Sequence, residues 1–226
     1  MLAHYASRFR TVEINYSFYK KPTLQIVQGW AGQVPADFRF SLKAWQRITH
    51  HKRLRGTRTF VKQFAQVARA LGPRLGPILY QLPPNLQPDL PLLRDFLQQL
   101  PPDLSAAFEF RHEGWLNEDC FTALADAGAA LCVADTEELS TPLVRTAPFG
   151  YFRLRRPRYT AAALDRWAAG IEALGFTADV HLYFKHEDMG TGPRLATRLL
   201  QRLTPPAQPR RAPVKRAPVR RGPLLP

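Results

Sequence analysis

Residues 106–115 read AAFEFRHEGW, and this short stretch joins a strand-like alternation to a sudden group of charged side chains. Small or apolar residues occupy positions 106–108, and Glu109, Arg111 and His112 then fall within four residues. Packing alone does not require a buried strand to end in this way. Two interpretations follow: a reactive site at the end of a strand, or an ion-pair network that holds the fold together.

The rest of the chain alternates between strand-like and helix-like patterns. Apolar residues recur with a period near 3.6 over residues 60–71 and 92–100, which predicts helices. Alternating strands and helices predict right-handed crossovers and a parallel sheet. The strand-like stretches are TVEIN at 11–15, FRFSLKA at 38–44, PILYQL at 77–82, AAFEFR at 106–111, ALCVAD at 130–135, YFRLR at 151–155 and DVHLYFKH at 179–186.

Capping residues mark the ends of several predicted helices. Asp89, Asn117 and Thr160 are placed to act as N-caps, and Pro193 suits the first turn of a last helix. Residues 2–9 have the pattern of a helix end. Residues 137–149, which include two prolines, show no helical pattern.

Polar residues at the strand ends favour a barrel over an open sheet. An open doubly wound sheet usually has a glycine-rich turn after its first strand, whereas the turn after Asn15 reads YSFYKKP. A ring of polar side chains at the carboxyl ends of parallel strands is how a barrel builds a site. We therefore predict an α/β fold of the TIM-type (β/α)8 kind. Polar residues at these ends are Glu13, Asn15, Lys43, Gln81, Glu109, Arg111, Asp135, Arg153 and Lys185.

The strand count is one short of a complete barrel, because only seven strands are visible. An open barrel would expose two strand edges and part of its core. We therefore expect either that the true start lies upstream of Met1, with the first strand missing from this chain, or that a gap is left in the wall.

Composition divides the chain into a globular part and a tail. The chain has 226 residues, 45% of them apolar, which is enough for one barrel domain over residues 1–204. Residues 205–226 hold seven prolines, six basic residues and no acidic one, so we predict a disordered basic tail. This tail is either a weak tether for nucleic acid or an anionic surface, or a solvated extension.

Cysteine usage and hydropathy predict a cytoplasmic location. Cys120 and Cys132 form no closely spaced pair and are expected to be buried thiols in a reducing compartment. No signal peptide opens the chain, and no apolar run approaches the length of about 18 residues that a membrane span needs. We therefore expect no contact with a membrane.

Five ordered motifs resemble the YecE-like proteins, the family of unknown function numbered seventy-two. They are TVEINYSFYKKPT, FSLKAWQRITHHKRL, LGPILYQLPPN, AFEFRHEGW and YFKHEDMGTGPRLA, and the resemblance extends from Met1 to about Leu203. It implies a TIM-type barrel with no established reaction, in which a further strand ending in a Gly-Thr-Ser-Gly-Trp-like turn precedes the first helix of this chain. Two stretches depart from the common pattern: FKHE at 184–187 replaces Phe-Asn-Asn-Asp, and RLRR at 153–156 replaces Arg-Leu-His-Gly.

The charge of the strand ends favours an anionic ligand. Three carboxylates, Glu13, Glu109 and Asp135, face four cations, Lys43, Arg111, Arg153 and Lys185. A divalent metal needs an excess of carboxylates, so it is the less favoured alternative and no cofactor is expected. Glu109 or Glu13 is the candidate general base. The candidate ligand-binding residues are Arg111, Lys43, Asn15, Arg153, Gln81, Asp135, His112, Lys185 and, as stacking aromatics, Trp115 and Tyr19.

Three functions are compatible with these residues. The leading prediction is a protein that binds a phosphate-bearing ligand, a nucleotide or nucleic acid, with phosphoester hydrolysis as a further step. The first alternative is a glycosidase-like hydrolase that uses Glu13 and Glu109 as paired carboxylates. The second is a non-catalytic nucleic-acid-binding protein that relies on the basic tail. The sequence predicts no oligomeric state.

Overall fold

Seven parallel strands form one continuous sheet in the order of the chain. The structure is a computed structural model that describes residues 2–184 and 190–203. All seven predicted strands are confirmed, with ends shifted by a few residues. The strands are β1 (Thr11–Ile14), β2 (Arg39–Lys43), β3 (Leu75–Gln81), β4 (Ala106–Glu109), β5 (Ala130–Asp135), β6 (Gly150–Leu154) and β7 (Val180–Phe184).

Helices connect the strands on the outside of the sheet. Asp89, Asn117 and Thr160 each accept a hydrogen bond from a backbone N–H in the first turn, which confirms the three predicted N-caps. The short segments around Tyr16 and Leu24 were not predicted as helices. The α-helices are α1 (Leu2–Ala6), α2 (Tyr16–Tyr19), α3 (Leu24–Ala31), α4 (Arg58–Ala68), α5 (Leu90–Leu97), α6 (Glu118–Asp126), α7 (Ala161–Ala173) and α8 (Thr191–Leu203).

Strand alternation separates the inside of the barrel from its outer wall. Leu79, Ala107, Cys132 and Tyr151 pack together in the interior, and Cys132 is fully buried. The alternate residues Phe40, Tyr80, Phe108 and Leu131 pack outward against the helices. The larger core therefore lies between sheet and helices, and polar residues enter the barrel at its ends.

The barrel is nearly closed, with β1 and β7 as its two edges. No backbone pairing joins these strands within the described residues. Side chains cross the gap instead: the Tyr183 hydroxyl lies 2.7 Å from Thr11 Oγ1 and donates to Ser41 Oγ at 2.8 Å. Seven strands were predicted from the sequence, and the described residues form a seven-stranded wall, which confirms that count.

The predicted basic tail and the predicted lack of a membrane span are treated differently by the described residues, since only the second can be compared with them. The basic tail at 205–226 lies outside the described residues, so its predicted disorder remains a prediction. None of the described helices has both the length and the apolar character needed to cross a membrane.

Candidate functional site

Arg153 connects two carboxylates inside the mouth of the barrel, which is the end where the strands finish. Its Nη2 donates to Glu13 Oε1 at 2.8 Å, and its Nη1 donates to Glu109 Oε2. The side chains of all three residues are at most 7% exposed. This guanidinium therefore joins β1, β4 and β6 through a buried ion pair on each side.

Neighbouring side chains also donate hydrogen bonds to these two carboxylates. Gln81 Nε2 donates to Glu109 Oε1 at 2.7 Å, and Arg111 Nε donates to the same oxygen at 3.0 Å. The Tyr151 hydroxyl donates to Glu13 Oε2 at 2.8 Å. Burial opposes the charge on Glu109, but Arg153 and Arg111 outweigh it and hold the pKa of its carboxyl well below the usual range.

Lys43 lies beside this network without a carboxylate of its own. Its Nζ is 3.9 Å from the centre of the Phe18 ring, and no described carboxylate lies within ion-pair distance. Burial and the nearby Arg153 guanidinium lower the pKa of Lys43 from 10.5 to about 8. The Lys43 amine is therefore mostly protonated at neutral pH, and no carboxylate forms an ion pair with it among the described residues.

Arg155 is a further cation of the mouth that was not predicted as a site residue. Its side chain is half-buried and has no ion-pair or hydrogen-bond partner in the part of the chain that the structure describes. Burial and then Arg153 lower the pKa of its guanidinium. Strand alternation could have identified it, because it follows Arg153 by two residues just as Arg111 follows Glu109.

Aromatic and imidazole groups border Lys43. The Phe18 ring packs edge-on against His50 at 4.8 Å between ring centres, and His50 Nδ1 lies 2.9 Å from Thr49 Oγ1. Burial and the adjacent cations Lys43 and Arg111 lower the pKa of His50 to about 4. His50 is therefore neutral at physiological pH because it is partly buried and its charged neighbours are cations.

Asp135 does not converge with the other strand ends, contrary to expectation. It lies on the same side of β5 as the outward-packed Leu131 and Val133. Its carboxylate accepts hydrogen bonds from Arg156 Nε at 2.6 Å and from the Tyr159 hydroxyl at 2.9 Å. Asp135 therefore belongs to a separate ion pair on the helix side of the sheet.

Trp115 is also placed differently from the expectation that it would stack on a ligand. It is completely buried, its ring stacks on Phe110 at 5.2 Å, and its Nε1 donates to the Leu86 carbonyl at 2.9 Å. Trp115 is a core residue because both its ring and its only polar atom are already occupied.

The remaining candidate residues have varied positions. Tyr19 is 69% exposed at the rim, and Asn15 is exposed without a described side-chain hydrogen bond. His112 Nδ1 accepts from the Gly114 N–H at 3.1 Å and caps a short turn. Lys185 lies outside the described residues. The structure therefore brings together Glu13, Lys43, Gln81, Glu109, Arg111 and Arg153, with Arg155 added.

The mouth cluster is defined here as Glu13, Lys43, Glu109, Arg111, Arg153 and Arg155. It holds four cations against two carboxylates, and the carboxylates are bound to Arg153 and Arg111. Within residues 2–184 and 190–203, no three His, Cys, Asp or Glu side chains are grouped as metal ligands. The uncommitted groups are the Lys43 ammonium, the Arg155 guanidinium and the terminal nitrogens of Arg111.

Fold and site together define a parallel α/β barrel with a cationic mouth supported by a buried ion network. The sequence pattern of the family described as "Protein of unknown function DUF72" matches residues 1–218. The chain belongs to this family, as the resemblance in its motifs implied.

Curated relatives match about half of the chain. The chain is 37% identical to the UPF0759 protein YecE of Escherichia coli over 112 residues, which are 49% of this chain and 41% of that protein. It is 30% identical to the UPF0759 protein YunF of Bacillus subtilis over 127 residues, or 51% of this chain and 44% of that protein. The matched region thus spans less than half the length of these relatives.

Crystal structures of other family members share the fold. A DUF72 family protein of Enterococcus faecalis, EF0366, has a TM-score of 0.79 with 18% identity and covers 90% of this chain and 88% of its own. The Thermotoga maritima protein TM1631 has a TM-score of 0.68 with 21% identity, covering 85% and 83%. At these identities the comparison establishes the barrel architecture alone.

Proposed function

We propose that the barrel mouth binds a phosphate-bearing ligand through Lys43, Arg111 and Arg155. The observation that carries this proposal is the group of uncommitted cations above a carboxylate pair that Arg153 already neutralises. A planar guanidinium presents two parallel donors to phosphate oxygens, and an ammonium adds a compact charge. The described residues of the mouth lack a matching anion, and a ligand would supply it.

The charge balance supports a phosphate rather than a neutral sugar. The mouth cluster has four positive and two negative side chains, so its formal excess is two charges. A phosphomonoester carries a charge of about −1.5 to −2 at neutral pH. Its charge would oppose the repulsion from neighbouring cations, which adds to burial in lowering the pKa of Lys43 and of His50. The proposed ligand therefore matches both the sign and the size of the imbalance.

The geometry favours binding over hydrolysis by a carboxylate. Glu109 is 1% exposed and accepts three hydrogen bonds, from Gln81, Arg111 and Arg153. A general base needs an accessible lone pair and a pKa near the working pH. Glu109 has neither while Arg111 and Arg153 hold it, so phosphoester hydrolysis at this site needs a group other than Glu109 to activate water.

The geometry gives no support to the glycosidase alternative. A retaining or inverting glycosidase needs one carboxylic acid that is protonated at working pH. The pKa of Glu109 is shifted in the opposite direction, because cations surround it. The Arg153 guanidinium also binds Glu13 and Glu109 at once and so lies between the two carboxylates.

Calorimetric titration with inorganic phosphate and with a nucleoside monophosphate tests the proposal. Replacing Arg155 with Met removes an unpaired cation while its aliphatic contacts are largely kept. A hydrogen bond to a charged group contributes about 1.5 to 3 kcal/mol, so we expect phosphate affinity to fall by about tenfold or more.

A matched control separates a local site from the general positive charge of the protein. Arg166 is exposed on α7 and lies outside the mouth cluster. Arg166→Met lowers the net charge by the same amount and should leave phosphate affinity unchanged. Equal losses in both variants, or wild-type protein that binds neither phosphate nor nucleotide, would overturn the proposal.

A further inference from the structure

One continuous segment of the chain carries basic side chains and no acidic one. Residues 38–88 contain ten Lys and Arg residues and no Asp or Glu. This segment includes β2, α4 and β3, and Lys43, at the end of β2, lies in the mouth. Arg55 pairs with Asp89 and Arg69 pairs with Asp103, both from outside the segment. The exposed cations Arg47, Lys52, Arg53, Arg58 and Lys62 have no ion-pair partner among the described residues.

A cleft opens on this basic surface next to the mouth. Its volume is about 510 Å³, and it is lined by aromatic and cationic groups: Tyr19, Trp45, Gln46, Arg47, His51 and Lys52. The Arg47 guanidinium lies 5.5 Å from the Trp45 ring centre, and Tyr19 is 69% exposed. Flat rings beside cations form a surface suited to stacked bases and their phosphates.

The loop that forms the cleft is held in an uncommon backbone conformation. Residues Arg47–His51 form a π-helical turn, and Arg53 and Leu54 follow with φ angles of 47° and 67°. Leu54 is 1% exposed, so the buried leucine anchors the strained loop. Such strain persists only where the surroundings hold it, and it concentrates at functional sites. The fixed backbone of the loop therefore restricts the positions of its cationic side chains.

Phe18 joins the cleft to the mouth. Its ring contacts Lys43 Nζ at 3.9 Å, and it packs edge-on against Tyr19 at 5.0 Å between ring centres. The mouth cluster and the cleft are therefore neighbours, and no acidic residue lies in the chain between Ile14 and Asp37 or between Asp37 and Asp89. Aromatic rings that lie beside cationic side chains suit single-stranded nucleic acid, because its unpaired bases are free to stack.

We infer that the cleft and the basic loop bind single-stranded nucleic acid that continues from the phosphate held in the mouth. This inference rests on the proposed function, because it extends the same ligand beyond its first phosphate. Bases would stack on Tyr19 and Trp45, and Arg47 and Lys52 would contact the backbone. A duplex would present its bases only at their edges and would leave the two aromatic rings unused.

Fluorescence anisotropy with a labelled oligothymidylate of about twelve nucleotides tests the inference on the full chain. Tyr19→Ala should weaken binding by about tenfold, which lies in the range measured for one stacked base. An abasic oligonucleotide of equal length should bind the wild type more weakly, and Tyr19→Ala should not weaken it further. Equal affinity of wild type and Tyr19→Ala for the oligothymidylate would overturn the inference.

The salt dependence tests the backbone contacts. Replacing both Arg47 and Lys52 with Ala should reduce the slope of log affinity against log salt by about 1.4, since each contact to a single strand contributes about 0.7. The control replaces Arg8 and Arg166, which are exposed elsewhere, and should leave the slope unchanged. Equal reductions in both double variants would contradict the assignment. Tighter binding of a duplex than of the single strand would also contradict it.

Failure of this inference can be distinguished from failure of the proposed function. Inorganic phosphate binding depends on Arg155 under the proposed function, and Tyr19→Ala should leave it intact. If phosphate binds the mouth but oligothymidylate affinity is unaffected by the cleft variants, only the inference is wrong. If phosphate does not bind while the cleft variants still reduce oligonucleotide affinity, the mouth assignment is wrong and the cleft stands alone.

Discussion

Arg153 and Glu109 form a buried ion pair across the interior of the barrel, and their side chains are 7% and 1% exposed. The two residues are 44 positions apart in the chain and belong to β6 and β4. Because Arg153 also binds Glu13, removing it would leave two buried carboxylates without their common cation. This relationship makes the network a structural element whatever ligand the mouth takes.

Replacing Arg153 with Met should lower the free energy of unfolding by about 3 to 5 kcal/mol, as expected when one partner of a buried ion pair is removed. Urea denaturation at neutral pH measures the change. Arg69→Met is the control, because it removes an Arg–carboxylate pair with Asp103 whose two side chains are 47% and 56% exposed, and it should cost less than about 1 kcal/mol. Similar losses in both variants would show that the network adds no special stability.

Phosphate affinity should fall as the pH rises through the pKa of Lys43, about 8, because the ammonium loses its charge there. Titrations with a nucleoside monophosphate between about pH 7.5 and 9.5 avoid the ionisation of the ligand, because the second pKa of a phosphomonoester is near 6. Lys43→Met should bind more weakly at pH 7 and lose this pH dependence. An affinity that stays level to pH 9.5 in the wild type would exclude Lys43 as a phosphate contact.

Stability in acid should depend on His181, which lies at the opposite end of the barrel from the mouth. Burial lowers its pKa from 6.5 to about 4, the neighbouring Asp179 opposes the shift, and Nδ1 has no described hydrogen-bond partner. The folded state therefore binds the proton less well than the unfolded state. The contribution of neutral His181 to the free energy of unfolding is complete above pH 6.5 and is lost as the pH falls through 4. The loss amounts to about 3 kcal/mol.

His181→Leu tests this effect, since an apolar side chain neither titrates nor loses a hydrogen bond. The variant should lose less stability than the wild type between pH 7 and pH 4, measured as the difference in free energy of unfolding. A variant at the exposed His51 controls for removing an imidazole elsewhere. Parallel pH profiles for wild type and His181→Leu would show that His181 titrates normally.

Replacing Trp115 with Ala should strongly destabilise the protein, whereas replacing Tyr19 with Ala should leave its stability nearly unchanged. Loss of the buried Trp115 ring should cost about 3 to 5 kcal/mol of stability, as for large core residues. Loss of the exposed Tyr19 ring should change stability by less than about 0.5 kcal/mol. Thermal unfolding measures both. A stable Trp115→Ala protein with weakened ligand binding would restore the earlier expectation that Trp115 contacts the ligand.

Local patterns were sufficient to predict the strands, the caps and one part of the site. Alternation placed Glu109 and Arg111 on the inner face and Phe108 and Phe110 against the helices, and the structure agrees. The same rule accounts for the two residues, Asp135 and Arg155, whose positions in the structure differ from the prediction or were not predicted. Asp135 shares its side of β5 with Leu131 and Val133, so alternation would have placed it outside the barrel. Arg155 shares its side with Arg153 and was overlooked.

Contacts between distant strands could not be predicted from the sequence. Tyr151 and Glu13 are 138 residues apart, and the hydrogen bond between them depends on how far the sheet curves and staggers before its edges approach. The burial of Trp115 likewise depends on Phe110 and Leu86 meeting around one ring. Such distances are set by the packing of the whole barrel, because no local pattern fixes the path of the intervening chain.

The sequence by itself determined the seven strands, their parallel order and the sides on which their residues lie, because these follow from periodicity, capping and short connections. Only the tertiary structure decided which charges pair. It joined Glu13 and Glu109 through Arg153, left Lys43 and Arg155 uncompensated, and placed the Tyr19 cleft beside them. The physical reason is that ion pairing depends on distances of a few ångströms between strands, which exist only once the sheet has curved into the barrel.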